Sequence, residues 1–174
     1  MIERGGPGAQ GAVATMTNGD ETWMRAAIAA ARAGIAAGQT PFGAVLIAPE
    51  GTLAAAAHNR VWASCDPTAH AEMNAIREAA GRRGAIELSG HVLYTTCEPC
   101  PMCLAAIHWA RIEAVIYGAE IADAAAAGFH ELRMPARQLL EAGGSTVKIR
   151  GGCLAEECRG LFAEWKAAGR SRAY

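Results

Sequence analysis

Residues 91–103, HVLYTTCEPCPMC, hold the transition that decides the fold. The first half is apolar and contains β-branched and aromatic residues, which predicts a strand, with Cys97 expected at its end. Pro101 suits the first turn of a helix, because a proline there gives up no hydrogen bond. The stretch therefore predicts a strand that leads through a short turn into a helix bearing Cys100 and Cys103.

Upstream, His70-Ala71-Glu72 stands at the start of a segment with apolar residues at helical spacing, which predicts a second helix. Cys100 and Cys103 fall on one helical face, close enough to share a metal. One imidazole and two thiolates suit zinc and leave a tetrahedral position open, which is typical of catalytic sites. We therefore expect one Zn²⁺ per chain held by His70, Cys100 and Cys103, with Glu72 as a proton-transferring base.

Two other interpretations of these cysteines stay open on the sequence. A C-x-x-C pair alone also suits a redox pair or half of a structural zinc site. Cys97 could complete a closed Cys3His site, in which the metal would only stabilise the fold or a partner surface. Such a structural zinc module predicts no loss of function on replacing Glu72.

Length and composition favour one compact domain. The chain has 174 residues, of which 52% are hydrophobic, enough for a sizeable core. Residues 1–19 are rich in Gly and Ala and lack periodicity, which predicts a disordered lead-in, so the catalytic domain is expected to span residues 20–174. The spacing of the six cysteines does not suit a disulfide scaffold, which favours a cytoplasmic location.

The order of elements predicts the fold class. A helix capped by Asp20 precedes a hairpin formed by residues 42–48 and 53–57, and helices then alternate with strands to the end of the chain. Strands separated by helices are expected to be parallel, whereas the hairpin is antiparallel. The prediction is an α/β fold, a three-layer α/β/α sandwich with a mixed five-stranded sheet and helices on both faces. No apolar run approaches the roughly 18 residues of a membrane span, so no membrane partner is expected.

Longer motifs give a resemblance to a known family. The spacing H-x-E…P-C-x-x-C is the signature of zinc-dependent base deaminases. The chain resembles the cytidine and deoxycytidylate deaminase superfamily, and within it bacterial guanine deaminases, from about residue 20 onward. The runs that carry the resemblance are PFGAV at 41–45, DPTAHAE at 66–72, YTTCEPCPMC at 94–103, WAR at 109–111 and DAAAAGF at 123–129.

The resemblance implies a cytidine deaminase-like fold and a guanine pocket. By position, Phe42 and Trp109 would form apolar walls, Asn59 would hydrogen-bond the base, and the backbone of Ala71 would lie beside the metal. Glu131 would supply a second catalytic carboxylate, although His130-Glu131 stands where one common form of the family has two aspartates.

The resemblance also implies a lid and an oligomer. Tyr174 would close over the base, in a segment that the family exchanges between the subunits of a homodimer. The implied reaction is the zinc-dependent hydrolysis of guanine to xanthine and ammonia.

Other substrates remain as alternatives. Deamination of the wobble adenosine of tRNA is the main one, and free cytosine, adenine or an aminotriazine are others, because only pocket contacts choose between them. Sixteen basic and seventeen acidic residues give a net charge of −1, which argues against a nucleic-acid partner, because polynucleotide binding relies on clustered Lys and Arg.

Overall fold

The computed structural model describes residues 16–169 and 172–174. Its elements are, in chain order, α1 (Asn18–Ala36), β1 (Gly43–Ile47), β2 (Leu53–His58), α2 (Val61–Ser64), α3 (Ala71–Arg83), β3 (Val92–Cys97), α4 (Pro101–Trp109), β4 (Ala114–Ala119), α5 (Ile121–Ala127), α6 (Ala136–Ala142), β5 (Lys148–Arg150) and α7 (Ala155–Ala167).

The five strands form one mixed sheet in the order β2-β1-β3-β4-β5. β1 is antiparallel to both β2 and β3, whereas β3, β4 and β5 are parallel to one another. Because β1 runs against its neighbours, its beginning lies at the same edge as the ends of β2 and β3, with Gly43 opposite His58 and Ala44 opposite Thr95. That edge collects the residues that precede β1 and follow β2, β3 and β4.

Each face of the sheet is covered by helices, as the sequence predicts. On one face α1 and α7 pack through Met24, Ile28, Leu161 and Trp165. On the other face α3, α4 and α6 pack through residues such as Ala75, Ile107 and Leu140. All five residues of β1 are buried, which is typical of a central strand in a three-layer sandwich.

The contact between α1 and β1 is unusually close at Gly43. A Cβ added there would meet the carbonyl oxygen of Ala27 at 2.2 Å, so a larger residue would push the helix off the strand. The glycine therefore lets the backbone of α1 lie directly on the start of β1, beside the edge described above.

The predicted lead-in over residues 1–19 is wrong at its C-terminal boundary. α1 begins at Asn18, and Thr17 caps it through a reciprocal capping box with Asp20. Asp20, predicted as the cap, instead lies in the first turn, where it also accepts hydrogen bonds from Tyr94 at 2.9 Å and Arg150 at 2.5 Å. The rest of the predicted lead-in, residues 1–15, lies outside the described residues.

Two helices are absent from the sequence prediction. α2 has four residues and α5 has seven, both too short to show a clear apolar period. Within residues 16–169 and 172–174, no helix combines the length and the apolar character needed to cross a membrane.

Candidate active site

Three ligand side chains meet at the starts of α3 and α4. His70 occupies the N-cap position of α3 and Cys100 that of α4, with Cys103 one turn further along. His70 Nδ1 lies 3.7 Å from Cys100 Sγ and 3.6 Å from Cys103 Sγ, and the three ligand atoms lie within 4.8 Å of one another. Zinc–sulfur and zinc–nitrogen bonds in a tetrahedron place ligand atoms about 3.5 Å apart, so these residues fit a zinc ion.

The two cysteines differ in acidity. Hydrogen bonding with Cys103 and then His70 lowers the pKa of Cys100 to about 4, against the opposing effect of burial. The same hydrogen bond to Cys100, together with burial, raises the pKa of Cys103. The pair therefore presents one thiolate at neutral pH and a second sulfur that gives up its proton when a divalent cation binds.

Glu72 faces the ligand cluster from the first turn of α3 and is only 6% exposed. One of its carboxylate oxygens accepts a hydrogen bond from the Thr95 hydroxyl at 3.0 Å, and the other lies 3.5 Å from Cys103 Sγ. Burial raises the pKa of Glu72 above its ordinary value. A carboxylate that is oriented, buried and raised in pKa beside a metal cluster is suited to accept and return a proton.

Cys97 does not belong to the ligand cluster. It ends β3, as the sequence predicts, and its thiol donates to the carbonyl of Glu120 at 3.5 Å. Among the described residues, the group that could hold a metal consists of His70, Cys100 and Cys103. The closed Cys3His alternative is therefore wrong.

Asn59 and Tyr174 come together over the cluster. Asn59 follows β2 and is fully buried, with its side-chain oxygen accepting from the backbone N–H of Val61 at 3.0 Å. Its amide nitrogen donates to the Tyr174 hydroxyl at 2.5 Å. The Tyr174 ring lies 5.8 Å from the His70 ring, between centroids, and burial raises the pKa of its phenol. The Tyr174 ring therefore lies against the ligand cluster within the single chain described, and the exchange of this segment between subunits stays a prediction.

Trp62, which the sequence interpretation missed, holds the segment that ends in Tyr174. Its indole N–H donates to the carbonyl of Arg172 at 2.9 Å, and the Arg172 guanidinium lies 3.6 Å from its ring centroid. The Trp62 and Tyr174 rings also meet edge to face at 6.1 Å. The signal that could have identified Trp62 is a large aromatic residue in a polar segment, three residues after Asn59, which was assigned to bind the base.

Glu131 lies in the connection after α5. Burial raises its pKa to about 7, with a further contribution from the negative charge of Cys100. The neighbouring N–H of His130 donates to the carbonyl of Tyr174 at 3.1 Å, which ties this connection to the C-terminal residue. The structure thus brings the second predicted carboxylate near the cluster.

Phe42 packs against Phe129 at 4.8 Å and Phe162 at 5.9 Å between ring centroids. Phe129, which the sequence interpretation did not assign to the site, has its ring centroid 5.9 Å from that of Tyr174 and so joins Phe42 to Tyr174. Ala71, the first residue of α3, is fully buried beside His70, and its backbone contact next to the metal stays a prediction.

Trp109 is the predicted pocket residue that one chain does not bring to the site. It ends α4, is 79% exposed, and packs against His108. At about 1.5 Å per residue, it lies roughly 9 Å along the helix from Cys103. Within one chain, Trp109 therefore lies away from the cluster, because the helix that presents the cysteines at its start carries Trp109 at its far end. Its role as an apolar wall stays a prediction.

Glu98 is a further residue that the sequence interpretation missed. Its carboxylate is 7% exposed and accepts hydrogen bonds from the backbone N–H groups of Ile121 and Ala136. These residues begin α5 and α6, so Glu98 links the metal-ligand motif to both helices.

Comparison with known proteins places this geometry in a family. Residues 17–119 match the family described as cytidine and deoxycytidylate deaminase zinc-binding region. The guanine deaminase of Bacillus subtilis is 52% identical over 112 residues, covering 64% of this chain and 71% of that protein. The tRNA-specific adenosine deaminase of Aquifex aeolicus is 44% identical over 101 residues, covering 58% of this chain and 66% of that protein.

A solved structure extends the similarity beyond that region. A guanine deaminase from Nitrosomonas europaea superposes with a TM-score of 0.78 at 29% identity, covering 84% of each chain. The matched region contains all three metal ligands and Glu72, and the shared fold continues past it. This chain therefore belongs to the cytidine and deoxycytidylate deaminase family.

Proposed function

We propose that this zinc-dependent deaminase hydrolyses guanine to xanthine and ammonia. The observation that carries the proposal is the buried Glu72 carboxylate, aimed at a three-ligand cluster beneath Tyr174. The relatives that act on guanine support the substrate, since they include the 52% identical protein and a structural neighbour over 84% of the chain.

The chemistry divides between the metal and the two carboxylates. His70, Cys100 and Cys103 would hold the zinc ion, which when bound would lower the pKa of water to about 7 and so supply a nucleophile at neutral pH. Glu72 accepts a proton from the attacking water and delivers it to a ring nitrogen of the base. Glu131 would protonate the departing amine and regain a proton from the new hydroxyl as the carbonyl forms, so water and guanine yield xanthine and ammonia. Thr95 holds Glu72 in place through its hydroxyl.

The pocket residues set orientation and exclude solvent. Asn59 is fixed by Val61 so that its amide faces Tyr174, where it would hydrogen-bond the edge of the base. Phe42 would contact the apolar face of the guanine ring, and the backbone of Ala71 would contact a polar edge of that ring. Tyr174 would cover the base and keep bulk water away from the reacting carbon.

Deamination of tRNA is the second candidate, supported by the 44% identical relative. Two features argue against it. The net charge is −1, and Tyr174 covers the cluster, leaving less room for a base that is attached to a sugar and backbone. Adenine, cytosine and an aminotriazine share the zinc chemistry and differ only in their pocket contacts.

Ammonia release from a substrate panel tests the proposal. The panel contains guanine, guanosine, adenine, cytosine, an aminotriazine and an anticodon stem-loop with adenosine at the wobble position. We expect selective turnover of guanine. Turnover of the stem-loop alone would replace this assignment with tRNA deamination, and zinc binding without turnover of any substrate would favour a structural zinc module.

We also propose a homodimer in the cytoplasm, without a nucleic-acid or membrane partner. The exposed indole of Trp109 supports a second copy, because an apolar side chain of this size is suited to a subunit interface. In a dimer, the Trp109 of one subunit could also reach the site of the other. The six cysteines all lie within the described residues and form no disulfide, which supports a reducing compartment. Sedimentation of the wild type and Trp109→Ala checks the dimer, because loss of this indole is expected to weaken association.

A further inference from the structure

We infer that Glu98 is a positioning residue that sets where Glu131 stands relative to the metal cluster. The inference rests on the proposed function of Glu131 as the second carboxylate. Glu98 does not itself touch the cluster, and its effect is transmitted through the two helices that flank the Glu131 connection.

The contacts of Glu98 tie three elements together. One carboxylate oxygen accepts the N–H of Ile121 at 3.1 Å, and the other accepts the N–H of Ala136 at 2.7 Å. Its own N–H donates to the carbonyl of Ala119 at 2.8 Å, at the end of β4. A single side chain therefore satisfies the first N–H group of α5 and of α6, which no intrahelical carbonyl can reach.

The position of these contacts explains why they bear on Glu131. Ile121 begins α5, Ala136 begins α6, and residues 128–135 between the helices include Glu131. Each helix has seven residues, too few to hold its conformation alone, so its placement depends on tertiary contacts. Glu98 fixes the start of each helix to one point.

That point is coupled to the metal motif by the chain itself. Only Pro99 separates Glu98 from the ligand Cys100, and its ring restricts the backbone between them. The distance from the ligands to α5 and α6 is therefore set by a short, stiff connection. A carboxylate beside the positive ends of two helices also adds a favourable electrostatic interaction.

Glu98→Gln tests the inference, because the amide keeps one acceptor oxygen and cannot accept from the second N–H. We expect kcat for guanine to fall about 10-fold, since a small misplacement of a catalytic group can cost up to about 100-fold. KM and zinc content should stay within about 2-fold, as Asn59 and the ligands are untouched. Glu98→Asp, which keeps both acceptor oxygens on a shorter stem, is expected to lie between Glu98→Gln and the wild type.

A double-mutant cycle separates positioning from general destabilisation. If Glu98 acts through Glu131, Glu98→Gln should change kcat less than about 2-fold in a Glu131→Gln background. An equal loss in both backgrounds would overturn the inference. The matched control is Glu113→Gln, an exposed glutamate paired with Lys148, for which unchanged kinetics are expected.

Amide hydrogen exchange of the zinc-loaded protein gives a readout independent of guanine. We expect faster exchange across residues 128–135 in Glu98→Gln than in the wild type or Glu113→Gln. Unchanged exchange would contradict the inference even if guanine is turned over. If the wild type does not deaminate guanine, the proposed function fails, while the exchange result still decides whether Glu98 orders this segment.

Discussion

Two parts of the site are built on different principles. The cradle, defined as His70, Glu72, Cys100 and Cys103, stands on the starts of α3 and α4, which pack on the same face of the sheet. The rim, defined as Asn59, Phe129, Glu131 and Tyr174, lies on three segments distant in sequence: the β2–α2 connection, the α5–α6 connection and the segment after α7. Single hydrogen bonds hold much of the rim, such as Asn59 to Tyr174 and His130 to Tyr174.

The difference teaches which part performs the chemistry and which part chooses the substrate. Helix starts on a packed sheet keep ligand atoms in place, as a metal site requires. Connecting segments can vary without disturbing the core and so can adapt to different bases. Changes to the cradle should therefore abolish turnover. Changes to the rim should alter affinity and selectivity, except at Glu131, the proposed proton donor, where kcat should fall.

The largest effect is expected from Glu72→Gln. The amide keeps the shape and can still pair with Thr95 but cannot accept a proton, so kcat should fall by about 10²- to 10⁴-fold. Zinc content and melting temperature should stay unchanged. Steady-state kinetics with guanine provides the measurement, and Glu78→Gln, on the outer side of α3 and paired with Arg82, is the control. Near-normal activity in Glu72→Gln would contradict the claim that the cradle performs the chemistry.

Glu131→Gln should have the next largest effect, because the rim contributes one proton donor to the chemistry. Loss of this carboxyl is expected to lower kcat about 100-fold, with zinc retained. Glu141→Gln, on the exposed side of α6, controls for a change of charge alone. A change in KM alone would show that Glu131 only binds the base.

Tyr174 variants should mainly affect affinity. Tyr174→Phe keeps the ring near His70 and loses the hydrogen bond to Asn59, so KM should rise about 5-fold, the equivalent of about 1 kcal/mol. Tyr174→Ala should raise KM further and admit guanosine, which we expect the wild type to exclude. Kinetics with both substrates measures this, and unchanged selectivity in Tyr174→Ala would contradict a covering role.

The smallest effect on catalysis is expected from Asp20→Asn, because Asp20 lies in the first turn of α1 and bonds Tyr94 and Arg150, which belong to neither region. Burial alone would raise the pKa of Asp20, but hydrogen bonds from Thr17 and Tyr94 and the charge of Arg150 together lower it. Because the folded pKa is lowered, the carboxylate stabilises the protein above an unfolded pKa of about 3.9, and that stability is lost as pH falls through the folded value.

Asp20→Asn should therefore lower the free energy of unfolding by about 1–3 kcal/mol at neutral pH, with kcat within about 2-fold of the wild type. Denaturant unfolding across the acidic range is the measurement. The difference between the two proteins should shrink as the pH falls, and a difference that does not depend on pH would contradict the assigned role.

The sequence predicts the cradle well because its signals are local. His70 and Glu72 are two residues apart, Cys100 and Cys103 are three apart, and each pair begins a helix whose apolar spacing is visible. The five strands and the mixed sheet were predictable for the same reason, since each strand is a short apolar run between turn residues.

The rim could not be predicted from spacing, because its contacts join residues far apart in the chain. Asn59 meets Tyr174 across 115 positions, and Glu98 reaches Ala136 across 38. Resemblance to the family supplied Asn59, Glu131 and Tyr174 but not Trp62 or Phe129. The resemblance also assigned Trp109 to the base pocket. Within one chain, Trp109 stands at the far end of α4 and is exposed, so it does not reach the metal-ligand cluster.

The most direct test of the account is guanine turnover as a function of zinc bound per chain. Metal-free protein would be titrated with Zn²⁺, with bound metal and xanthine formation measured on the same samples. We expect activity to rise in proportion to bound zinc and to level off at one zinc per chain. Cys103→Ser should neither bind zinc stoichiometrically nor form xanthine. Stoichiometric zinc binding without xanthine formation would contradict the account, because the bound zinc would then not catalyse the hydrolysis of guanine.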